Sequence, residues 1–270
     1  MKKKHPTIAA LAKLTKKEQQ QLRKRTEKQT APLKRLLDDK LPPKLQDTLR
    51  GAFLHAFEAV FSHGGAIIDK SFSVEKRQTE YQVHRYTAAL QPTKKNLRAF
   101  SRKAQQIRRG NTVLSGTAGF AMGLFGIGLP DIPVFVGFLL KNVYETALAN
   151  GFGYKTPGEQ YFILLLIEAA LSCGSAAETS EALVNAWIEA HCSIPAAKQT
   201  PQVFREQLKQ TAYTLADAVL YVKFIQGIPI VGAAGGISDA VCVSQIGSYA
   251  ALKYERRRLT QITPKTTEKQ

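Results

Sequence analysis

Chemistry in this chain would have to start from five histidines, three cysteines, a run of closely spaced glycines and two aspartates set in uncharged surroundings. His55 and His63 share roughly one helical face, with Asp69 beyond the Gly64-Gly65 pair. A metal site or an acid-base pair uses such a face, but no histidine lies at i, i+4 to complete it. His5, His84 and His191 stand apart from one another, and His191 is adjacent to Cys192. Adjacent residues on a helix point about 100° apart, so these two do not face each other as base and nucleophile. Cys173, Cys192 and Cys242 form no CxxC pair, which indicates neither a zinc site nor a disulfide framework and fits a reducing compartment.

The run Gly123-Leu-Phe-Gly126-Ile-Gly128 resembles a phosphate-binding loop only in its glycines. No strand-like run precedes it and no lysine follows in register, so it reads as packing or bending glycine. Asp131 and Asp239 each stand at a turn-to-helix boundary and read as helix N-caps rather than reactive carboxylates. No GxxxxGK[ST] loop, HExxH helix or GxSxG elbow is present. The expectation is no catalytic residue, no metal and no cofactor, with an enzyme of unrecognised site as the remotest alternative.

The elements that would hold these residues are marked by charge. The chain has 270 residues and a net charge of +17, with 44% apolar and 22% charged residues, a composition that folds. Residues 1–50 carry 15 Lys/Arg against 5 Asp/Glu and residues 94–109 carry 7 against 0, while the rest balances at 16 against 16. The second basic segment is Lys94, Lys95, Arg98, Arg102, Lys103, Arg108 and Arg109, with Leu97, Phe100, Ala104 and Ile107 on another face. A basic amphipathic helix of this kind suits an anionic surface.

Directly after it, residues 112–130 hold no charge and five glycines, and a Pro130-Asp131-Ile132-Pro133 break follows. A full membrane span needs about 20 apolar residues in a continuous helix, so a bent helical hairpin is expected instead. Gly119 and Gly123 allow close helix approach, Gly123 and Gly126 lie on the arm with Phe125 near its tip, and Gly128 is near the turn. A second uncharged stretch with Gly232, Gly235 and Gly236 echoes it, and Gly128-Leu-Pro-Asp131 matches Gly236-Ile-Ser-Asp239 in pattern.

Helix signals fill the remainder. Leu45, Leu49, Phe53, Phe57 and Phe61 recur at helical spacing before Gly64-Gly65, and further helices are expected at about 74–90, 93–109, 131–150, 156–171, 175–189, 200–223 and 239–258. Thr156-Pro157-Gly158-Glu159 is a capping box with proline at the first helical position. Residues 15–29 also open with a capping box, Thr15 and Glu18, but have almost no apolar face, which predicts a solvated helix or a disordered arm. The fold class is therefore all-α: a basic N-terminal arm over 1–41, a single multi-helix domain over 42–258 with two glycine-rich hairpins, and a polar tail over 259–270.

The text Gly128-Leu-Pro-Asp131-Ile-Pro133, then Glu145, Gly151-Phe-Gly-Tyr154 and Glu159, resembles the central signature of EcsC-family proteins. Ile228-Pro-Ile-Val-Gly232-Ala-Ala-Gly-Gly236 is similar to that family's second, glycine-rich block. The resemblance covers roughly residues 42–256, with the basic arm outside it. It implies a bacterial helical protein, a family named from a gene cluster that contains an ABC transporter linked to secretion, and no established catalytic residue.

The resulting expectation is a non-enzymatic protein on the cytoplasmic side, peripheral on the inner face of the cytoplasmic membrane. Its partners would be anionic lipid and a membrane transport or secretion complex. Nucleic-acid binding by the same basic segments is the alternative, although residues 1–50 have no Phe, Tyr or Trp to stack on bases. The N-terminus reads as lacking a secretory signal, because the apolar run after Lys4 is short.

Overall fold

A computed structural model describes residues 6–27, 43–91, 93, 95–99, 132–191, 200–225 and 235–263. Among the described residues the secondary structure is helical, with no strand, which bears out the all-α expectation. The helices are α1 (Pro6–Thr26), α2 (Pro43–Ala59), α3 (Gly65–Lys70), α4 (Val74–Leu90), α5 (Ile132–Ala149), α6 (Pro157–Leu171), α7 (Ser175–His191), α8 (Pro201–Ile225) and α9 (Gly235–Ile262). The two glycine-rich hairpins lie largely outside the described residues.

The core is one cluster drawn from α2, α5, α6, α7, α8 and α9. In α6 the consecutive residues from Phe162 to Ile167 are all buried, because a helix apolar all round must have neighbours on every side. α5 is long and apolar enough to cross a membrane, yet 72% of it is buried inside the fold, which makes it the core helix of this bundle. Arg257 meets Glu159 near the start of α6 and Gln245 donates to the Ala170 carbonyl near its end, at 2.6 Å, so α6 and α9 run antiparallel. Asn150 meets Arg258, and Tyr144 lies within electrostatic range of Tyr254, so α5 and α9 run in the same direction. The N-termini of α5 and α9 therefore lie at one end of the bundle, and the α5–α6 turn lies at the other.

Local signals set several boundaries. The Thr156 hydroxyl accepts from the Glu159 amide at 3.3 Å at the start of α6, and Pro157 occupies the first helical position. α5 ends with Gly151 at φ +87°: its amide donates to the Leu148 carbonyl and that of Phe152 to Ala147, a Schellman closure. A Cβ on Gly151 would run into the end of the Tyr81 side chain, so glycine serves the position for space as well as for φ.

Three expectations change. The Gly64-Gly65 pair does not end its helix: a π turn, Val60–Gly64, carries the chain into α3, since a wider turn uses the backbone freedom of glycine without breaking the ladder. Asp239 is not an N-cap, because α9 already begins at Gly235. Residues 15–27 are neither disordered nor free: α1 packs on α7 and α9, with Leu14, Glu18 and Arg25 buried. The reason is electrostatic: Glu18 pairs with Lys253 and Arg256 of α9, and Arg25 with Glu181 of α7.

Candidate functional site

Four of the motif residues, Glu145, Gly151, Tyr154 and Glu159, lie around the α5–α6 turn, where the two glutamates bind arginines. Glu159, third residue of α6, takes Arg257 of α9 bidentately at 2.7 and 2.8 Å. The Arg257 guanidinium also lies 4.0 Å from the centroid of Phe152, 4.6 Å from Phe162, 4.7 Å from Trp187 and 5.5 Å from Tyr254. A planar, weakly hydrated cation is suited to such a box, where ring faces supply negative potential and the carboxylate supplies the counter-charge. Glu145, buried on α5, accepts from Arg77 of α4 at 3.2 Å. Tyr154 stacks on Tyr144 with centroids 4.2 Å apart and donates its hydroxyl to Asp69, which also binds Lys155 at 2.6 Å. Burial pushes the Asp69 carboxyl up, but the bonds from Lys155 and Tyr154 outweigh it and hold it below its usual range. Burial, then the Asp69 carboxylate, pushes the Tyr154 phenol well above its ordinary value. Arg258 is 1% exposed, donates to the Asn150 side chain at 3.1 Å, and has its pKa lowered by desolvation.

A second charge cluster joins three helices. Lys253 of α9, 0% exposed, donates to Glu181 of α7 and to Asn185 at 2.8 Å, and forms an ion pair with Glu18 of α1 at 3.1 Å. Arg25 of α1 binds Glu181 at 2.6 Å, caps the Ala169 carbonyl and lies over the Tyr249 ring. The Tyr249 hydroxyl donates to Glu181 at 2.8 Å, and Arg256 binds Glu18 at 2.5 Å. This cluster is why α1 docks with so little apolar face.

The carboxylates of these clusters are paired with cations, while the buried Arg25 Nε and Tyr254 hydroxyl have no hydrogen-bond partner among the described residues. No group of three or more His, Cys, Asp or Glu side chains among the described residues could hold a metal. His55 is exposed and pairs with Glu58, and Cys242 is buried while Cys173 is half-buried, neither in a disulfide. Glu168 lies half-buried on α6 outside both clusters. Burial raises its pKa and its partners are amides, including Gln207, instead of a cation. An open cleft of about 620 Å³ runs between α4 and residues 151–153, lined by Glu75, Gln78, Gln82 and Phe152 among others.

Of the surface-binding candidates, Lys95 and Arg98 are exposed on a helical turn at 95–99, with Leu97 buried between them. Lys94, Arg102, Lys103, Arg108 and Arg109 lie outside the described residues, as do Gly119, Gly123, Phe125, Gly126, Gly128, Gly232 and Asp131. Gly235 and Gly236 begin α9, and Pro133 is exposed in the first turn of α5. Sequence reasoning missed Arg25, Glu181, Lys253, Arg257 and Arg258. One signal was there: Arg256, Arg257 and Arg258 are consecutive on a helix, so they point about 100° apart and cannot all face water on a packed element.

Comparison with known proteins adds identity to this geometry. Protein EcsC of Bacillus subtilis (strain 168) is 26% identical over 142 residues, which are 52% of this chain and 55% of that protein. The alignment thus spans little more than half the length of that relative. No solved structure matches the chain. The family model described as "EcsC protein family" matches residues 7–259, taking in α1, which the resemblance had left outside. With the match running from the first turn of α1 nearly to the end of α9, the chain belongs to the EcsC protein family.

Proposed function

We propose that this protein is a non-enzymatic, membrane-associated helical domain. It docks on the anionic cytoplasmic face of the membrane through residues 94–109, and the glycine-rich segments 112–130 and 224–238 add shallow insertion. A membrane transport or secretion complex is the assembly it would serve there. The observation that carries the reading is the junction of seven basic and no acidic residues with nineteen uncharged ones.

The fold supports it through its own charge balance. Glu18, Asp69, Glu145, Glu159, Glu181 and Asp217 each bind an arginine or lysine within the domain. The carboxylates are thereby occupied internally, and the positive excess is left for a partner. Each Lys or Arg near an anionic bilayer contributes about 1 kcal/mol, so the basic segment alone suffices for peripheral attachment. The helices that follow the two glycine-rich segments, α5 and α9, begin at the same end of the bundle. In each, an exposed valine, Val134 or Val241, lies within the first two turns.

The test replaces Lys94, Lys95, Arg98, Arg102 and Lys103 by Gln in the full chain and measures binding to anionic vesicles at low salt. Binding should weaken at least tenfold with helicity unchanged, since about 1 kcal/mol per cation summed over five exceeds that threshold several times. Equal binding by the variant overturns the role of this segment. Tighter binding of the parent to duplex or single-stranded nucleic acid than to vesicles at physiological salt would overturn the reading as a whole.

A further inference from the structure

Residues 81–130 contain no Asp or Glu, fifty consecutive positions that carry Arg85 as well as the seven cations of 94–109. The described part of that stretch is the second half of α4 and the turn at 95–99. α4 binds the body of the protein along one side only. Arg77 pairs with Glu145, Tyr81 lies against Gly151, and Ala88 packs with Leu97 and Ile262.

The opposite side of α4 turns Val83, Tyr86 and Leu90 to solvent, at 58%, 68% and 64% exposure. Their spacing of three and four residues places them in one stripe. Eight large apolar side chains are exposed among the described residues, and the other five occur one to a helix, so this stripe is a concentration rather than ordinary scatter. Arg85 is exposed on the same helix, Lys95 and Arg98 are exposed on the turn that follows it, and none of the three is in an ion pair among the described residues.

We propose that this stripe is the surface that enters an anionic bilayer. α4 lies in the plane of the interface, Val83 and Leu90 reach the acyl boundary, Tyr86 sits at headgroup level, and Arg85, Lys95 and Arg98 bind lipid phosphates. α4 runs in the same direction as α5, as the Arg77–Glu145 and Tyr81–Gly151 contacts show, so an α4 lying flat holds the bundle broadside on the membrane. The inference rests on the membrane reading above and names the face that makes the contact.

Charge decides between occupants. A second copy of the chain packed on this stripe about a two-fold axis would bring two copies of Arg85 to the same apolar contact with no acidic residue of 81–90 to offset them. A nucleic-acid backbone would satisfy the cations but leave Val83 and Leu90 with no apolar partner. An anionic bilayer meets both requirements at once.

The experiment uses the full chain with vesicles of phosphatidylcholine mixed with phosphatidylserine, and of phosphatidylcholine alone. Two variants are made: Val83→Ser/Tyr86→Ser/Leu90→Ser, which leaves every charge in place, and Tyr86→Trp as a fluorescent reporter. Because all three side chains are exposed, far-UV circular dichroism and melting temperature should match the parent. The triple variant should bind the mixed vesicles on the order of tenfold more weakly with the salt dependence retained, and the reporter's emission should shift to the blue only with the mixed vesicles. A parent that binds while the triple variant binds equally, with no reporter shift, overturns the stripe and leaves electrostatic docking standing. A parent that binds neither vesicle overturns both. A triple variant that loses self-association and keeps lipid binding gives the stripe to a second copy of the chain and overturns the proposal.

Discussion

Arg257 and Lys253 lie one helical turn apart on α9, and both are buried cations, but they are neutralised differently. Arg257 has one bidentate carboxylate, Glu159, and four aromatic rings around it. Lys253 belongs to a cluster of three cations (Arg25, Lys253, Arg256) and two carboxylates (Glu18, Glu181), shared among α1, α7 and α9. The first arrangement closes a contact inside the main core, where ring packing adds to charge. The second fastens the N-terminal helix, whose one buried apolar residue is Leu14, from far away along the chain. Charge there takes the place that apolar area holds elsewhere in the molecule. Attachment of α1 should accordingly answer to pH and salt, and the aromatic box should not.

The comparison breaks or holds first at Arg257. Replacing it by Ala strands the Glu159 carboxylate and empties the space between four rings, a loss of about 3–5 kcal/mol in chemical denaturation. A loss below about 1 kcal/mol would place the two clusters on the same footing. Next comes the cluster's uneven charge. Glu181→Gln leaves three cations, two of them buried, facing one carboxylate and should cost about 3 kcal/mol, whereas Lys253→Met leaves two of each sign and should cost less than half of that. Equal costs would show that shape, and not charge balance, limits this region.

The smallest effect concerns α1 itself. Burial pushes the Glu181 carboxyl up, but Lys253, Tyr249 and Arg25 outweigh it and hold it below the usual carboxylate range. A carboxylate depressed in the folded state contributes stability that is fully present above its unfolded pKa, about 4.3 for Glu, and is lost as pH falls through the lower folded value. Protease cleavage within α1 should therefore rise severalfold as pH drops below about 4, with the main core still protected. High salt should act in the same direction. Cleavage that does not change with pH would mean that Leu14 and backbone contacts hold the helix without help from the cluster.

Much of the helical order was legible because it is written in short-range chemistry. Thr156, Pro157 and Glu159 open α6, Asn150 and Gly151 close α5, and the apolar run of α6 declares a helix buried on every side. Glu159 was legible as a capping residue but not as the partner of Arg257, ninety-eight positions away. Residues 15–27 were read as solvated because their hydrophobic pattern is weak, and that pattern is blind to a helix held by ion pairs. The π turn at Val60–Gly64 was missed for a related reason: a glycine pair reads locally as a stop, and only packing on both sides keeps the chain helical through it.

By itself the amino-acid sequence determined the helical class, most helix positions and the separation of a basic, acid-free stretch from a balanced core, because periodicity, caps and charge counts are properties of neighbours in the chain. Only the tertiary structure decided which charges are buried and with whom. Glu18 and Arg256 stand 238 positions apart and meet at hydrogen-bond distance. A side chain's charge is set by its residue type, whereas its dielectric surroundings and its counter-ion are set by whatever the folded chain brings beside it.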